Sequence, residues 1–340
     1  MRLYRIETQR LKSSQIYYLV KDIRVRDKTL KVREKIGETR PIEQEEIMLT
    51  SDPNIGLEVK ALNKKVSLSV GHYKVRYIES GDLPMLEQTR HWGGFFSLFL
   101  TPSENQLLQD EAEVDYVHGT TAIEGNTFTV QQVDDLLRKG VPPSGKSLRE
   151  INEIQNYLRV RKYCESYTGR ITEPFIRRLH ALIMDKIDTE SAGALRRIDG
   201  IGIRGVDIAV TPAILIEEEL QRVIDEHSEN LMTGWHPFEE AVLFHHRFEL
   251  IHPFTDGNGR VGREILNHML TRAGYPRIIF TKAGREKYIN ALRHGNTGQL
   301  DSMVSEFIGL LMDRRAGLFE DILKGRIVQR KETHDEAPPH

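Results

Sequence analysis

The spacing of apolar residues changes period near residue 94, and that change limits what the chain can fold into. Upstream, Ile23 and Val25, then Leu30 and Val32, alternate with polar residues about the pair Asp27-Lys28. This is the period-two pattern of a half-buried hairpin. Val66, Leu68 and Val70, then Tyr73, Val75 and Tyr77, bracket Gly71-His72 in the same way. A second hairpin is therefore expected, and residues 1–82 read as a small β-rich module. Downstream, helical spacing runs over 103–119, 129–139, 147–167, 172–187, 213–230, 236–252, 259–273, 283–293 and 299–325. Thr129 with Gln132, and Ser147 with Glu150, form capping boxes that satisfy the free amides of a first turn. Ile201–Val210 is short, β-branched and interrupted by glycine, and reads as an extended flap between helices. Residues 326–340 read as a polar tail. The expected fold class is mainly α: a helical region over 94–325 preceded by a small β-rich N-terminal domain.

Composition removes several alternatives. With 340 residues, 39% hydrophobic and 29% charged, the chain is long and apolar enough for a sizeable core. Its longest apolar stretches, such as Phe95–Leu100 and Ile308–Met312, fall far short of the roughly 18–20 residues of a membrane span, and no membrane partner is expected. The opening MRLYRIETQR lacks the apolar core of a secretory signal. The single cysteine, Cys164, excludes intrachain disulfides and a cysteine-rich metal site. A cytoplasmic protein is the simplest expectation. Residues 1–40 hold twelve Lys/Arg against five Asp/Glu, a local net charge of +7. A basic face of this kind suits nucleic acid or an acidic partner, but no recognition helix or aromatic pattern accompanies it. A solvated sheet face is the favoured reading.

Gly140-Val141-Pro142-Pro143-Ser144-Gly145-Lys146-Ser147 matches the P-loop pattern. Phosphate binding by that pattern needs a strand, a loop of free amides and then a helix. Here the preceding segment has helical period, two prolines remove amides, and Ser147 already serves as a helix cap. The match is rejected.

The stretch that carries chemistry is His252-Pro253-Phe254-Thr255-Asp256-Gly257-Asn258-Gly259-Arg260-Val261-Gly262-Arg263. Phe238, Val242, Leu243, Phe248 and Ile251 give the preceding helix a buried stripe, and Pro253 stops it just past His252. Gly257-Asn258-Gly259 permits positive φ and lets successive amides converge on one point. A new helix begins at about Gly259 with its positive dipole end at that point, which makes an anion site. Arg260 and Arg263, three apart, share a helix face and reach different oxygens of one polyphosphate. Asp256 adds a hard oxygen ligand for Mg²⁺. His252 supplies a base that titrates near neutrality. Any one of these is weak alone, but eight specified residue types at fixed spacing arise by chance in roughly one chain in ten million or fewer.

The stretch resembles the signature of the Fic (Fic/Doc, Fido) family, H-x-F-x-(D/E)-G-N-G-R-x-x-R, at every specified position, and the resemblance extends over about 94–300. A second family feature, (S/T)-x-x-x-E-(G/N), is met by Thr120-Thr121-Ala122-Ile123-Glu124-Gly125-Asn126, the N-terminal type of inhibitory motif. The resemblance implies an all-helical core that moves AMP from ATP onto a protein hydroxyl. His252 is then the general base, Phe254 an anchor for the loop, and Asp256 the Mg²⁺ ligand. Gly257, Asn258 and Gly259 form the anion nest, Arg260 meets the donor phosphates and Arg263 the γ-phosphate. Ile203, Arg204, Gly205, Val206, Asp207 and Ile208 stand where the family has its target-docking flap. In the family the motif glutamate, here Glu124, pairs with the second signature arginine, here Arg263, and displaces the γ-phosphate.

The expected function is thus a protein adenylyltransferase that modifies Ser, Thr or Tyr hydroxyls, its own included, under inhibition by Glu124. Its partners are ATP, Mg²⁺ and a protein substrate, with a homodimer left open. Two rivals remain: removal of AMP or transfer of another phosphate-linked group at the same site, and an adaptor that binds nucleic acid or protein through residues 1–82. His236, His245, His246 and His252 do not suggest zinc, because adjacent histidines on a helix point about 100° apart and no His-Glu-x-x-His is present. Trp92 and Trp235 read as packing residues.

Overall fold

The computed structural model describes residues 2–25, 28–199 and 210–312. The expected flap Ile203–Ile208, the tail 326–340 and the end of the last expected helix lie outside them. The chain divides into two compact units, 1–73 with 80–102, and 74–79 with the remainder from 103.

In the first unit, β1 (Arg5–Arg10), β2 (Gln15–Val25) and β3 (Lys28–Gly37) form an antiparallel sheet in chain order. The register Val25↔Lys28 and Ile23↔Leu30 is that of the expected first hairpin. Helices α1 (Glu43–Ser51), α2 (Ile55–Val70) and α3 (Leu83–Phe96) complete the unit. Tyr4, Leu19 and Leu57 make its core, with Ile6, Val32 and Leu49 packed around them. The expected second hairpin is absent. Val66, Leu68 and Val70 are the end of α2, which is capped by Asn54 and buries Leu57, Ala61 and Leu62 at helical spacing. Three alternating residues fit either period, and the longer register decides. Part of the basic charge of residues 1–40 is paired within the unit. Arg5 meets Glu7 and Asp22, Lys31 meets Glu7, and Lys21 meets the buried Glu58 at 2.6 Å.

The second unit is helical: α4 (Pro102–Ala122), α5 (Val130–Lys139), α6 (Leu148–Ser166), α7 (Glu173–Ile183), α8 (Ile216–Met232), α9 (Pro237–Ile251), α10 (Asn258–Arg272), α11 (Arg285–Asn296) and α12 (Leu300–Met312). Each lies where helical spacing places it. Both capping boxes form, on α5 and α6. Gly140 is the left-handed cap of α5 at φ 68° and Ser147 caps α6, so the P-loop match is a helix-to-helix connection. Among the described residues, no helix is long and apolar enough to cross a membrane.

Residues 74–79 also belong to this unit. The Lys74 amide donates to the Gly234 carbonyl at 2.9 Å, and Arg76 lies 4.1 Å over the Trp235 ring. At the centre stand α9 and α10, buried nearly all round rather than along one stripe. Phe238, Val242, Phe248, Phe254, Ile265, Leu266 and Phe307 are fully buried there. The loop between α9 and α10 is thus carried by two buried helices.

Candidate active site

Helix α9 ends at His252 in the left-handed region, φ 50° and ψ 59°. Pro253 cannot continue the helix, and the chain turns through Thr255 and Asp256 to Gly257 at φ 81°. The signature residues Asn258 and Gly259 already lie in the first turn of α10, so only the first of the two glycines uses a positive φ. Asn258 clamps the loop, accepting from the Phe254 amide at 2.8 Å and donating to the Phe254 carbonyl at 2.7 Å. Gly257 provides no side-chain cap, which suits a helix end that presents amides to an anion.

Three residues outside the signature brace this loop. His180, on α7, stacks on Phe254 with ring centroids 3.8 Å apart and planes 2° from parallel. Its Nδ1 accepts from the Gly193 amide at 2.8 Å, so Nε2 carries the hydrogen it donates to the Asp256 carbonyl at 3.0 Å. Burial lowers its pKa to about 4 and keeps it neutral. The buried Arg196 donates to the carbonyls of His252 at 2.8 Å, Ile198 at 3.0 Å and Thr211. Glu153, on α6, accepts from Arg260 at 3.2 Å and from Asn126 at 3.0 Å. None of the three carries a local sequence signal, because their contacts with the signature residues Asp256, His252 and Arg260 run across 76, 56 and 107 residues of chain.

The imidazole of His252 is buried, and burial, helped by Arg196, lowers its pKa below the ordinary histidine value despite the Glu249 carbonyl and nearby carboxylates. The neutral form, which accepts a proton, therefore prevails at pH 7. Asp256 keeps 44% of its side chain exposed. Burial works to raise its pKa, but Arg260, Arg149 and the Gly257 amide outweigh it and hold the carboxyl below its ordinary range. One exposed carboxylate beside a helix N-terminus fits Mg²⁺, which takes one or two carboxylates together with phosphates and waters.

The two signature arginines are turned to different protein acceptors. Arg260, fully enclosed, lies against Glu153, Met184 and Asp256. Arg263 donates through Nε to Thr120 Oγ1 and through Nη2 to the Thr120 carbonyl, both at 2.9 Å, and through Nη2 to Glu124 Oε1 at 2.8 Å. Glu124 thus meets the arginine with which the second motif pairs it. Desolvation raises the Glu124 pKa, but the Arg263 charge and hydrogen bond prevail and lower it. Gly259 makes the approach possible: a Cβ there would stand 2.6 Å from Glu124 Oε1 and 2.9 Å from Arg263 Nη1. His245 and His246 are engaged separately, with Tyr288 at 3.0 Å and Asn296 at 2.8 Å.

Comparison with known proteins addresses the same region. Residues 170–270 match the model of the Fic/DOC family. This segment is the part of the chain that is similar to a Fic domain. The chain is 34% identical over 199 residues to the protein adenylyltransferase Fic of Drosophila ananassae, an alignment covering 57% of this chain and 39% of that protein. The chain thus spans well under half the length of the curated relatives it matches. Its fold is similar to a glutamate-to-glycine form of Fic-1 from C. elegans, with TM-score 0.58 and 26% identity over 74% of this chain and 70% of that one. A Fic family protein from Desulfovibrio desulfuricans gives TM-score 0.58 and 25% identity over 73% of this chain and 78% of that one. The segment matched here contains the whole signature loop, both arginines, His180 and Arg196; Glu124 and Glu153 precede it.

Proposed function

We propose that this chain transfers AMP from ATP to the hydroxyl of a Ser, Thr or Tyr side chain on a protein, itself included, and that Glu124 restrains the transfer. The observation that supports this best is convergence: a neutral buried imidazole, an exposed carboxylate and an uncapped helix N-terminus meet at one braced loop. His252 takes the hydroxyl proton, and the oxygen forms its bond to the α-phosphorus as the bond to pyrophosphate breaks. Arg260 and the first-turn amides of α10 hold the phosphates. Asp256 would hold Mg²⁺, which supplies charge neutralisation to the donor phosphates when bound. Arg263 meets the γ-phosphate once Glu124 has left it. The relatives named protein adenylyltransferase support the transferred group.

A charge-assisted hydrogen bond contributes about 1.5–3 kcal/mol, and Glu124, with 38% of its side chain exposed, belongs at the low end. Incubation with labelled ATP and Mg²⁺ tests the reading. Wild type should label itself weakly, His252→Ala not at all, and Glu124→Gly roughly tenfold more than wild type. Equal labelling of His252→Ala removes that residue as the base, and an unchanged Glu124→Gly removes the restraint. The mass added to the product separates AMP from another phosphate-linked group.

A further inference from the structure

Four charged side chains around the signature loop form a closed ring of alternating sign. Arg149, in the first turn of α6, donates through Nη2 to Asp256 Oδ2 at 2.6 Å and through Nε to Glu153 Oε1 at 3.3 Å. Glu153 Oε1 also takes Arg260 Nη1 at 3.2 Å, and Arg260 Nη2 returns to Asp256 Oδ1 at 3.4 Å. The members differ in freedom. Arg260 and Glu153 are buried, with side chains 3% and 8% exposed, whereas Arg149 and Asp256 are 55% and 44% exposed. The outer pair can therefore part without stranding a charge away from water.

The orientation of Asp256 does not depend on Arg149. Its Oδ1 accepts from the Gly257 amide at 2.6 Å and lies against Arg260, while Oδ2 receives Arg149. At Oδ2 the guanidinium supplies charge, where a divalent cation would supply more. We infer that Arg149 is the resting counter-ion of Asp256: it covers Oδ2 until a metal ion arrives, then withdraws while keeping Glu153 as its partner. Arg149 is then a positioning residue whose charge competes with the metal, and its removal tightens metal binding. This rests on the reading of Asp256 as a metal ligand.

Mn²⁺ serves as the probe, its free concentration followed by electron paramagnetic resonance on the full chain with a non-hydrolysable ATP analogue. Arg149→Met should bind Mn²⁺ roughly two- to fivefold more tightly than wild type, the range for an exposed ion pair. Arg149→Lys, which keeps the charge, should match wild type, and affinity for the analogue in EDTA should be retained in both variants. Unchanged or weaker Mn²⁺ binding by Arg149→Met overturns the inference. So does a loss of analogue affinity without a gain in metal affinity, which would make Arg149 a phosphate ligand. Absence of Mn²⁺ binding by wild type would instead remove Asp256 as a metal ligand, and the inference with it.

Discussion

A side chain with a Cβ in the left-handed region costs roughly 1–2 kcal/mol, and His252 stands there at φ 50°. A glycine would relieve that strain but would bring no imidazole. The strained turn is held by the Arg196 guanidinium, which satisfies the carbonyls of Ile198, Thr211 and His252 and lies 3.4 Å from that of Ile251. Arg196→Met leaves the buried carbonyls of His252 and Ile251 without this donor. It should lower unfolding free energy by about 2–4 kcal/mol, since each buried unsatisfied group costs about 1–3 kcal/mol. The same change should reduce labelling in the Glu124→Gly background. Urea denaturation followed by tryptophan fluorescence checks the first effect, and loss of less than about 1 kcal/mol, the net value of one ordinary hydrogen bond, would contradict it. His252 itself was legible as a motif residue. The arginine that fixes its backbone was not, because one Arg among many carries no pattern until the fold delivers it to four carbonyls.

At the scale of an element, α4 decides how Glu124 is presented. The helix is fastened by Glu113 to Arg277 at 3.1 Å and by Tyr116 to Glu264 at 2.5 Å. At Gly119 it touches backbone, where a Cβ would lie 1.6 Å from the Phe280 carbonyl oxygen. Backbone cannot swing aside, so Gly119→Ala must push α4 away and loosen Glu124 from Arg263. Overpacking of this kind costs typically 1–3 kcal/mol. A thermal melt should show the loss and autolabelling should rise; a lowered melting temperature with unchanged labelling would confine Gly119 to packing. The existence of α4 was readable from its period, and Gly125 at φ 102° turns the chain just after it. The need for a glycine at 119 was not, since the residue it meets is 161 positions away. Helix α2 shows the opposite failure, because a short alternating run at its end imitated a strand.

For the molecule as a whole, buried histidines set the response to acid. Burial lowers the pKa of His180, His227 and His268 to about 4 and of His245 to about 3, from 6.5. The unfolded chain binds protons from about pH 6.5 downward while the folded one stays neutral. Stability from these groups is therefore complete above pH 6.5 and is lost as pH falls toward 4, by up to about 1.4 kcal/mol per pH unit for each. Glu249 opposes them, since burial raises its pKa from 4.5 to about 7 and its contribution is lost as pH rises through that interval. Burial raises Glu113 as well, but the four histidines outnumber the two carboxyls and leave a net loss on acidification. The urea midpoint should fall steadily below pH 6.5, with unfolding before pH 4; a flat profile from 6.5 to 4.5 would refute this account.

By itself, the sequence determined the helical core, the first hairpin, the caps of α5 and α6 and the loop that ends α9. Period, capping and glycine or proline chemistry act between residues a few positions apart, so a linear reading contains them. It also named His252, Asp256, Arg263 and Glu124, because the spacing of a short motif survives without coordinates. Only the tertiary structure decided that Arg260 faces Glu153 and that Arg263 also faces Thr120, that His180, Arg196 and Glu153 brace the loop, and that α9 and α10 are buried all round. Those facts depend on side chains dozens of residues apart meeting in a medium where an unpaired charge is costly, and folding alone brings them together.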